Sequence, residues 1–246
     1  MNDNKIIEEK INLLQAWATD NSISMKDLVN IITMIKNGSR GARKPTDPLQ
    51  FPDFYYPDKE AKSWHNSKDY KWVSLLESGF NEIKNEAQSI FNEQFMESHP
   101  QNNELAENGT WNTFFFYKNG IKYEENFLNC PKTGEIIESI PGTSQAGRVY
   151  FSAMSPGINV KPHCGPHNFK LRCHLGLVTD PLAIIRVGDE IRTWETGKCI
   201  IFDDSFEHEV WNRSKITRIV LIVDVWNPVL TDEEIKALVY LGVPTA

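Results

Sequence analysis

The chain has 246 residues, 40% of them hydrophobic, which supports a sizeable core in one domain, or in one domain with an appendage. Acidic residues (33) outnumber Lys and Arg (26), and the net charge of −7 argues against a general nucleic-acid binder. No apolar run approaches the roughly 20 residues that span a bilayer, Met1–Lys10 is too polar for a signal peptide, and Cys130, Cys164, Cys173 and Cys199 lack the spacing of a zinc site or disulfide framework. A cytoplasmic protein with reduced thiols and no membrane association is the expectation.

Residues 1–45 read as a helical hairpin. Ile7, Ile11, Leu14 and Trp17 form one helical stripe and Leu28, Ile31, Ile32 and Ile35 another. Asp20-Asn21-Ser22 marks the break, Ser24 is a candidate cap for the second helix, and Asn37-Gly38 ends it. The hairpin is expected to pack on the rest of the protein or on another subunit, so an oligomer built through these helices is an open expectation. Residues 38–58 form a Pro- and Gly-rich linker. From about residue 46 to 246 the sequence reads as a second unit.

Trp72, Leu75, Leu76, Phe80 and Ile83 keep helical spacing in a helix running to about Phe95, and Glu97–Gly109 reads as a polar loop. Trp111–Tyr117 opens a series of strands, with Asn119-Gly120 as a hairpin turn. Residues Cys130–Gly147 read as a mostly irregular connection. Strands are expected at about 148–154, 170–178, 183–187, 190–194, 198–202, 207–212 and 216–226, and a last helix over Asp232–Tyr240 with Thr231 as N-cap. Many short strands separated by turns imply a mainly β, jelly-roll-like barrel with N-terminal and flanking helices.

Two strands carry chemistry. Over Lys170–Val178, alternation places Leu171, Cys173, Leu175 and Leu177 on an apolar face and Lys170, Arg172, His174 and Gly176 on the other. A face with only basic groups points to an anion, or is an ordinary solvent-facing surface. Ile216–Trp226 is apolar on both faces, as a doubly buried strand should be, yet contains Arg218. A buried arginine keeps its proton, and an unpaired one costs roughly 3–5 kcal/mol. Its partner is either an internal acid or a ligand carboxylate or phosphate held by paired hydrogen bonds.

His163, in the turn-like segment SPGINVKPHCGP, and His208 lie far apart in sequence, as ligands from two strands of a barrel would. Two histidines and a carboxylate form the facial site of non-haem Fe(II) oxygenases. The usual His-x-Asp/Glu is here His163-Cys164-Gly165, with glycine in place of the acid.

The blocks FSAMSPG, KPHCGPHNFKLRCHLGL, TWETGKCIIFDDSFEHEVWN and RIVLIVDVWNP resemble the aspartyl/asparaginyl β-hydroxylase family of Fe(II)- and 2-oxoglutarate-dependent oxygenases. The resemblance covers about Trp111–Pro228 well and Phe54–Glu77 more weakly. The family binds iron with two histidines and no protein carboxylate, glycine standing where the acid would be. The resemblance implies a double-stranded β-helix barrel, with His163 and His208 as iron ligands. Ser152 and Arg218 would hold the distal carboxylate of 2-oxoglutarate, His174 and Arg172 would lie near its other carboxylate and the substrate, and Met154 and Val220 would line the co-substrate pocket. Asp204 would orient an iron-bound water. Tyr117 stands where the family can carry tryptophan, and Lys170 where it can carry arginine, so Tyr117, Lys170 and Arg172 would meet the substrate. The implied cofactors are Fe(II), 2-oxoglutarate and dioxygen. The implied substrate is a small molecule, peptide or protein with a carboxylate or amide, hydroxylated foremost on the β-carbon of Asp or Asn. The same chemistry on a lipid acyl group or natural product, and a non-catalytic anion-binding barrel, are the alternatives.

Overall fold

The computed structural model describes residues 3–37, 47–57 and 61–242. Helices α1 (Asp3–Asp20) and α2 (Val29–Asn37) open the protein. Ser24 Oγ accepts from the Lys26 backbone N–H, but a turn over 25–28 intervenes before α2 begins. Gly38 and part of the expected linker, residues 38–46 and 58, fall outside the described residues. After β1 (Trp64–His65) come α3 (Val73–Ser78) and α4 (Phe80–Asn92). They are two helices rather than one, broken at Gly79, where a Cβ would meet Ile136 Cδ1 at 2.3 Å.

The stretch read as a polar loop holds β2 (Glu97–Ser98), α5 (Asn102–Leu105) and β3 (Ala106–Glu107). Strands β4 (Trp111–Lys118) and β5 (Ile121–Lys122) form the expected hairpin, with Asn119 and Gly120 both at positive φ (54° and 77°). The connection expected to be irregular is instead helical: α6 (Glu124–Asn129) and α7 (Pro131–Glu138). Pro131 sits at the start of α7, where a missing N–H costs nothing. Gly134 lets α7 approach α6, since a Cβ there would meet Phe127 Cδ1 at 2.6 Å.

The remaining strands are β6 (Arg148–Met154), β7 (Asn159–His163), β8 (Lys170–Val178), β9 (Ala183–Val187), β10 (Glu190–Thr193), β11 (Cys199–Phe202), β12 (His208–Asn212) and β13 (Arg218–Trp226), before helix α8 (Asp232–Tyr240). β7 is the strand the sequence reading treats as a turn. α8 begins with a reciprocal capping box between Thr231 and Glu234.

Two antiparallel sheets face each other. The larger runs β1-β11-β8-β13-β6-β4-β2, with β5 beside β4; the smaller runs β10-β9-β12-β7-β3. This is a jelly-roll sandwich. One cluster, including Ile185, Val187, Phe202, Val210, Val220 and Ile222, fills the space between the sheets. A second packs the outer face of the large sheet (Phe114, Phe151, Leu171, Cys173, Leu175, Leu221, Val223) beneath α3, α4, α6 and α7. A third joins α1, α2 and α8 to Tyr56, Phe169 and Leu230, so the N-terminal helices share a core with residues of the barrel. No described helix is long and apolar enough to cross a membrane. All four cysteines are free.

Candidate active site

The inner face of the sandwich collects the polar side chains that alternation places there. β8 points Leu171, Cys173, Leu175 and Leu177 outward and turns Lys170, Arg172 and His174 inward. β13 does the same with Arg218, Val220, Ile222 and Asp224. β6 adds Tyr150, Ser152 and Met154. A pocket between the sheets is lined by Trp111, Tyr150, Met154, Val160, His163, Arg172, His174, Ile185, Phe202, His208, Val210, Arg218 and Ile222.

His163 and His208 come from neighbouring strands of the small sheet and pair directly in register. Their ring centroids are 4.1 Å apart. His163 Nδ1 lies 2.8 Å from the Lys161 carbonyl and His208 Nδ1 2.9 Å from the Phe206 carbonyl. A carbonyl only accepts, so each Nδ1 carries the hydrogen and each Nε2 presents a lone pair. Burial lowers both pKa values; that of His208 falls to about 3, with His163 adding to the effect. Both imidazoles are therefore neutral at neutral pH, the form that binds a metal.

No group of three His, Cys, Asp or Glu side chains among the described residues is arranged to hold a metal. Gly165 shows why a third donor is missing at the expected place. A Cβ on Gly165 would lie 2.6 Å from both Cγ and Oδ1 of Asp204. The Asp204 carboxyl group thus fills the space of the missing side chain, and the Gly165 N–H donates to the Asp204 carbonyl at 2.6 Å. The turn carrying Asp204 is pinned by the Asp203 N–H on the Ser63 carbonyl and by segment 49–51 pairing with 205–207. Asp204 Oδ2 accepts from Arg172 Nη1 at 2.9 Å, while Oδ1 is buried with no hydrogen-bond partner. Burial alone would raise the Asp204 pKa, but Arg172 and Lys170 outweigh it and hold the group ionised. Two neutral imidazoles with directed lone pairs and one buried, unsatisfied carboxylate oxygen nearby suit an oxygen-loving divalent cation carrying bound water.

Arg218 has the environment the sequence posed as a question. Its side chain is fully buried, forms no ion pair among the described residues, and leaves Nε and Nη1 without hydrogen bonds. Burial pushes its pKa down to about 9. The ring of Trp194 lies under the guanidinium at 4.7 Å. Trp194 Nε1 also donates to His174 Nδ1 at 3.2 Å, which places the His174 hydrogen on Nε2, a buried donor with no partner. Burial, then Arg218 and Arg172, keeps His174 neutral. Gly176 makes this possible: a Cβ there would strike the Glu195 carbonyl at 2.5 Å, so the glycine admits the turn that brings Trp194 over His174 rather than leaving open space. Ser152 Oγ accepts from Trp111 Nε1 at 3.0 Å on the same face. Met154 lines the pocket and Val220 lies in the surrounding apolar cluster.

Two expectations are revised. Lys170 is fully buried, and its anion is internal, because Nζ lies 3.0 Å from Asp224 Oδ2. Arg172 donates twice to Asp224 and once to Asp204, and these carboxylates raise its pKa well above the usual arginine value against the opposing effect of burial. Tyr117 does not line the pocket. A bulge between Phe115 and Tyr117 turns its side chain into the outer cluster, against Phe127 at 5.2 Å. The sequence reading missed Asp224, Tyr150 and Trp194. Asp224 was detectable, since it alternates with Arg218, Val220 and Ile222; its register partner is Arg172.

A family model described as aspartyl/asparaginyl beta-hydroxylase matches residues 77–228. The chain belongs to this family. It is 37% identical over 185 residues to the human protein named aspartyl/asparaginyl beta-hydroxylase, covering 73% of this chain and 24% of that one. It is 35% identical over 173 residues to an ornithine lipid ester-linked acyl 2-hydroxylase of Rhizobium tropici, covering 67% of this chain and 60% of that one. The chain thus spans about a quarter of the human relative and three fifths of the bacterial one. Among solved structures, a Pseudomonas putida prolyl-4-hydroxylase aligns with a TM-score of 0.41 at 12% identity, covering 67% of this chain and 92% of that one. A hydroxylase family is therefore the setting for this site.

Proposed function

We propose that the protein is an Fe(II)- and 2-oxoglutarate-dependent hydroxylase that attacks a C–H bond of an amino-acid substrate, with the β-carbon of an Asp or Asn residue, free or within a peptide, as its target. The observation that carries this reading is the buried guanidinium of Arg218. It has no internal counter-ion among the described residues and faces a pocket that also holds the His163–His208 pair. Bound iron and its co-substrate would supply the oxidising power for C–H cleavage with dioxygen.

The protein's own residues bind, orient and exclude water. His163 and His208 would hold the metal through Nε2, their orientation set by the Lys161 and Phe206 carbonyls. Asp204 would orient a metal-bound water through Oδ1, while Arg172 fixes the carboxylate through Oδ2. Arg218, with Ser152 on the inward face of the neighbouring strand, would receive the far carboxylate of the co-substrate, and His174 would donate from Nε2 to its near end. Met154 and Val220 supply apolar walls. No protein acid or base is needed for the C–H step, so the protein's contribution is placement and dryness. The R. tropici relative supports a second reading, the same chemistry on a lipid acyl group. A cytoplasmic location accompanies the first reading.

The test is anaerobic reconstitution with Fe(II), then measurement of 2-oxoglutarate turnover with Asp- and Asn-containing peptides and acyl lipids. His163→Ala and His208→Ala are expected to abolish turnover and metal binding. Retained metal affinity in both variants overturns the two-histidine assignment. A metal-loaded wild type that gains no thermal stability from 2-oxoglutarate overturns the co-substrate reading and favours a simple anion binder.

A further inference from the structure

Lys170 and Arg172 are balanced by Asp204 and Asp224, two cations against two buried carboxylates. The uncompensated positive charge at this end of the barrel lies two strands from β8, beyond β13. Arg148 at the start of β6 continues the inward face of Tyr150 and Ser152, and its backbone N–H donates to Asp224 Oδ2. Its register partner on β4 is Lys118. Side chains directly opposite across antiparallel strands stand about 4.5–5.5 Å apart at Cβ, and like charges so placed destabilise the sheet. Neither residue has an ion-pair partner among the described residues, and Arg148 Nε is buried without a hydrogen bond.

Aromatic contacts tie this pair to the pocket. Lys118 Nζ lies 5.3 Å from the centre of the Phe115 ring, and Phe115 packs at a tilt, 4.9 Å between ring centres, on Tyr150, a wall of the pocket. His99, 6.1 Å from Tyr150, has its pKa driven to about 3, first by burial, then by Arg148, Arg172, His163 and Lys118, with no acid opposing them. Arg148 and Lys118 thus stand opposite each other with no acid among the groups acting on His99, in a protein whose net charge is −7.

We infer that Arg148 and Lys118 form the anchor for an anionic group of the substrate, a carboxylate or a phosphate, beyond the Tyr150 wall of the pocket. This rests on the hydroxylase reading only for calling that anion part of the substrate. The anchor replaces the role first expected of Lys170, whose charge is spent internally. It selects substrates by an anion placed away from the reacting carbon.

The test loads the protein with Zn(II), as a diamagnetic stand-in, and with saturating 2-oxoglutarate, so that Arg218 is already occupied. Acetate and inorganic phosphate are then titrated at constant ionic strength while the ¹⁵N resonance of Arg148 Nε, assigned by its loss in Arg148→Gln, is followed by NMR. A saturable shift is expected, weakened about tenfold by Lys118→Gln, as loss of a charge-assisted contact implies. The tighter anion identifies the group as carboxylate or phosphate. The ligand-free melting temperature of Lys118→Gln should equal or exceed that of wild type, because a like-charge opposition is removed. No saturable shift with either anion, or a shift indifferent to Lys118→Gln, overturns the proposal. So does a marked loss of stability in Lys118→Gln, which would mean an internal partner. Failure of 2-oxoglutarate to stabilise the metal-loaded protein, measured in the same samples, refutes the hydroxylase reading separately and leaves the anion site standing.

Discussion

Replacing Arg218 by glutamine separates a ligand's cation from a structural one. A fall in its pKa from 12.5 to about 9 means that the folded, ligand-free protein disfavours this charge by something on the order of 5 kcal/mol. The ring of Trp194 at 4.7 Å offsets part of that, by about 1–2 kcal/mol. The sign is fixed by the direction of the shift. A base depressed on folding loses stability as pH falls from 12.5 through about 9, so the full penalty applies at neutral pH. Arg218→Gln should therefore leave the ligand-free melting temperature unchanged or raise it. Loss of a charge-assisted hydrogen-bonded contact should weaken 2-oxoglutarate by about 1.5–3 kcal/mol, roughly 10- to 150-fold. At a concentration 100 times the wild-type Kd, 2-oxoglutarate stabilises the wild type by about 2.7 kcal/mol. After a hundredfold loss of affinity the same concentration stabilises by only about 0.4 kcal/mol. For a protein of this length that contrast is several degrees in Tm. Paired thermal melts of the metal-loaded proteins, with and without 2-oxoglutarate, measure it. A ligand-free variant that melts well below wild type, with the 2-oxoglutarate shift intact, would mean that Arg218 serves an internal acid and would refute the reasoning.

Asp224→Asn should lower stability by about 3–5 kcal/mol, because it strips Lys170 of its carboxylate and Arg172 of one of two; denaturant unfolding measures this, and a loss under about 1 kcal/mol counts against a charge-balanced cluster. Gly165→Asp should fail to create a three-ligand metal site and should reduce metal affinity by about 10–100-fold, because the Asp204 carboxyl already occupies that space; tighter metal binding in a calorimetric titration would contradict it. His99, held at a pKa of about 3 by burial and nearby cations, contributes stability that is present above its unfolded pKa of about 6.5 and is lost as pH falls toward 3. His99→Phe, which keeps a ring against Trp111, should flatten the decline of Tm as pH falls from about 6.5 to about 4; an unchanged slope would place the acid sensitivity elsewhere.

Legibility in the sequence followed the regularity of local geometry. β8 and β13 are uninterrupted, so alternation assigned the faces of Leu171 to Leu177 and of Ile219 to Val223 correctly and put Arg172 and His174 on one inward face, while the family resemblance brought Arg218 to the same pocket. Tyr117 was misjudged because one bulged residue reverses every side chain beyond it, and no composition signal marks that bulge. β7 escaped detection since Pro162 interrupts a five-residue strand whose partners β3 and β12 are distant in sequence. α7 was hidden by Pro131 and Gly134, residues that usually break helices but here start one and let it pack closely. Trp194 lies just past the end of β10, and its role between Arg218 and His174 depends on the close approach at Gly176, a contact between segments about 20 residues apart.

The two histidines proposed to hold the metal and the groups proposed to hold an anion stand on opposite leaves of the sandwich. His163 and His208 belong to the small sheet, while Arg218, Ser152, His174 and Arg172 belong to the large one. A ligand gripped at one end by each leaf acts as a rivet, and its affinity depends on the gap the two leaves keep. That gap is set by side chains such as Ile185, Phe202 and Ile222 in the apolar filling. Under that proposal, substitutions there would alter the span between the two grips, and these spacer residues would tune recognition by distance rather than by charge or hydrogen bonding.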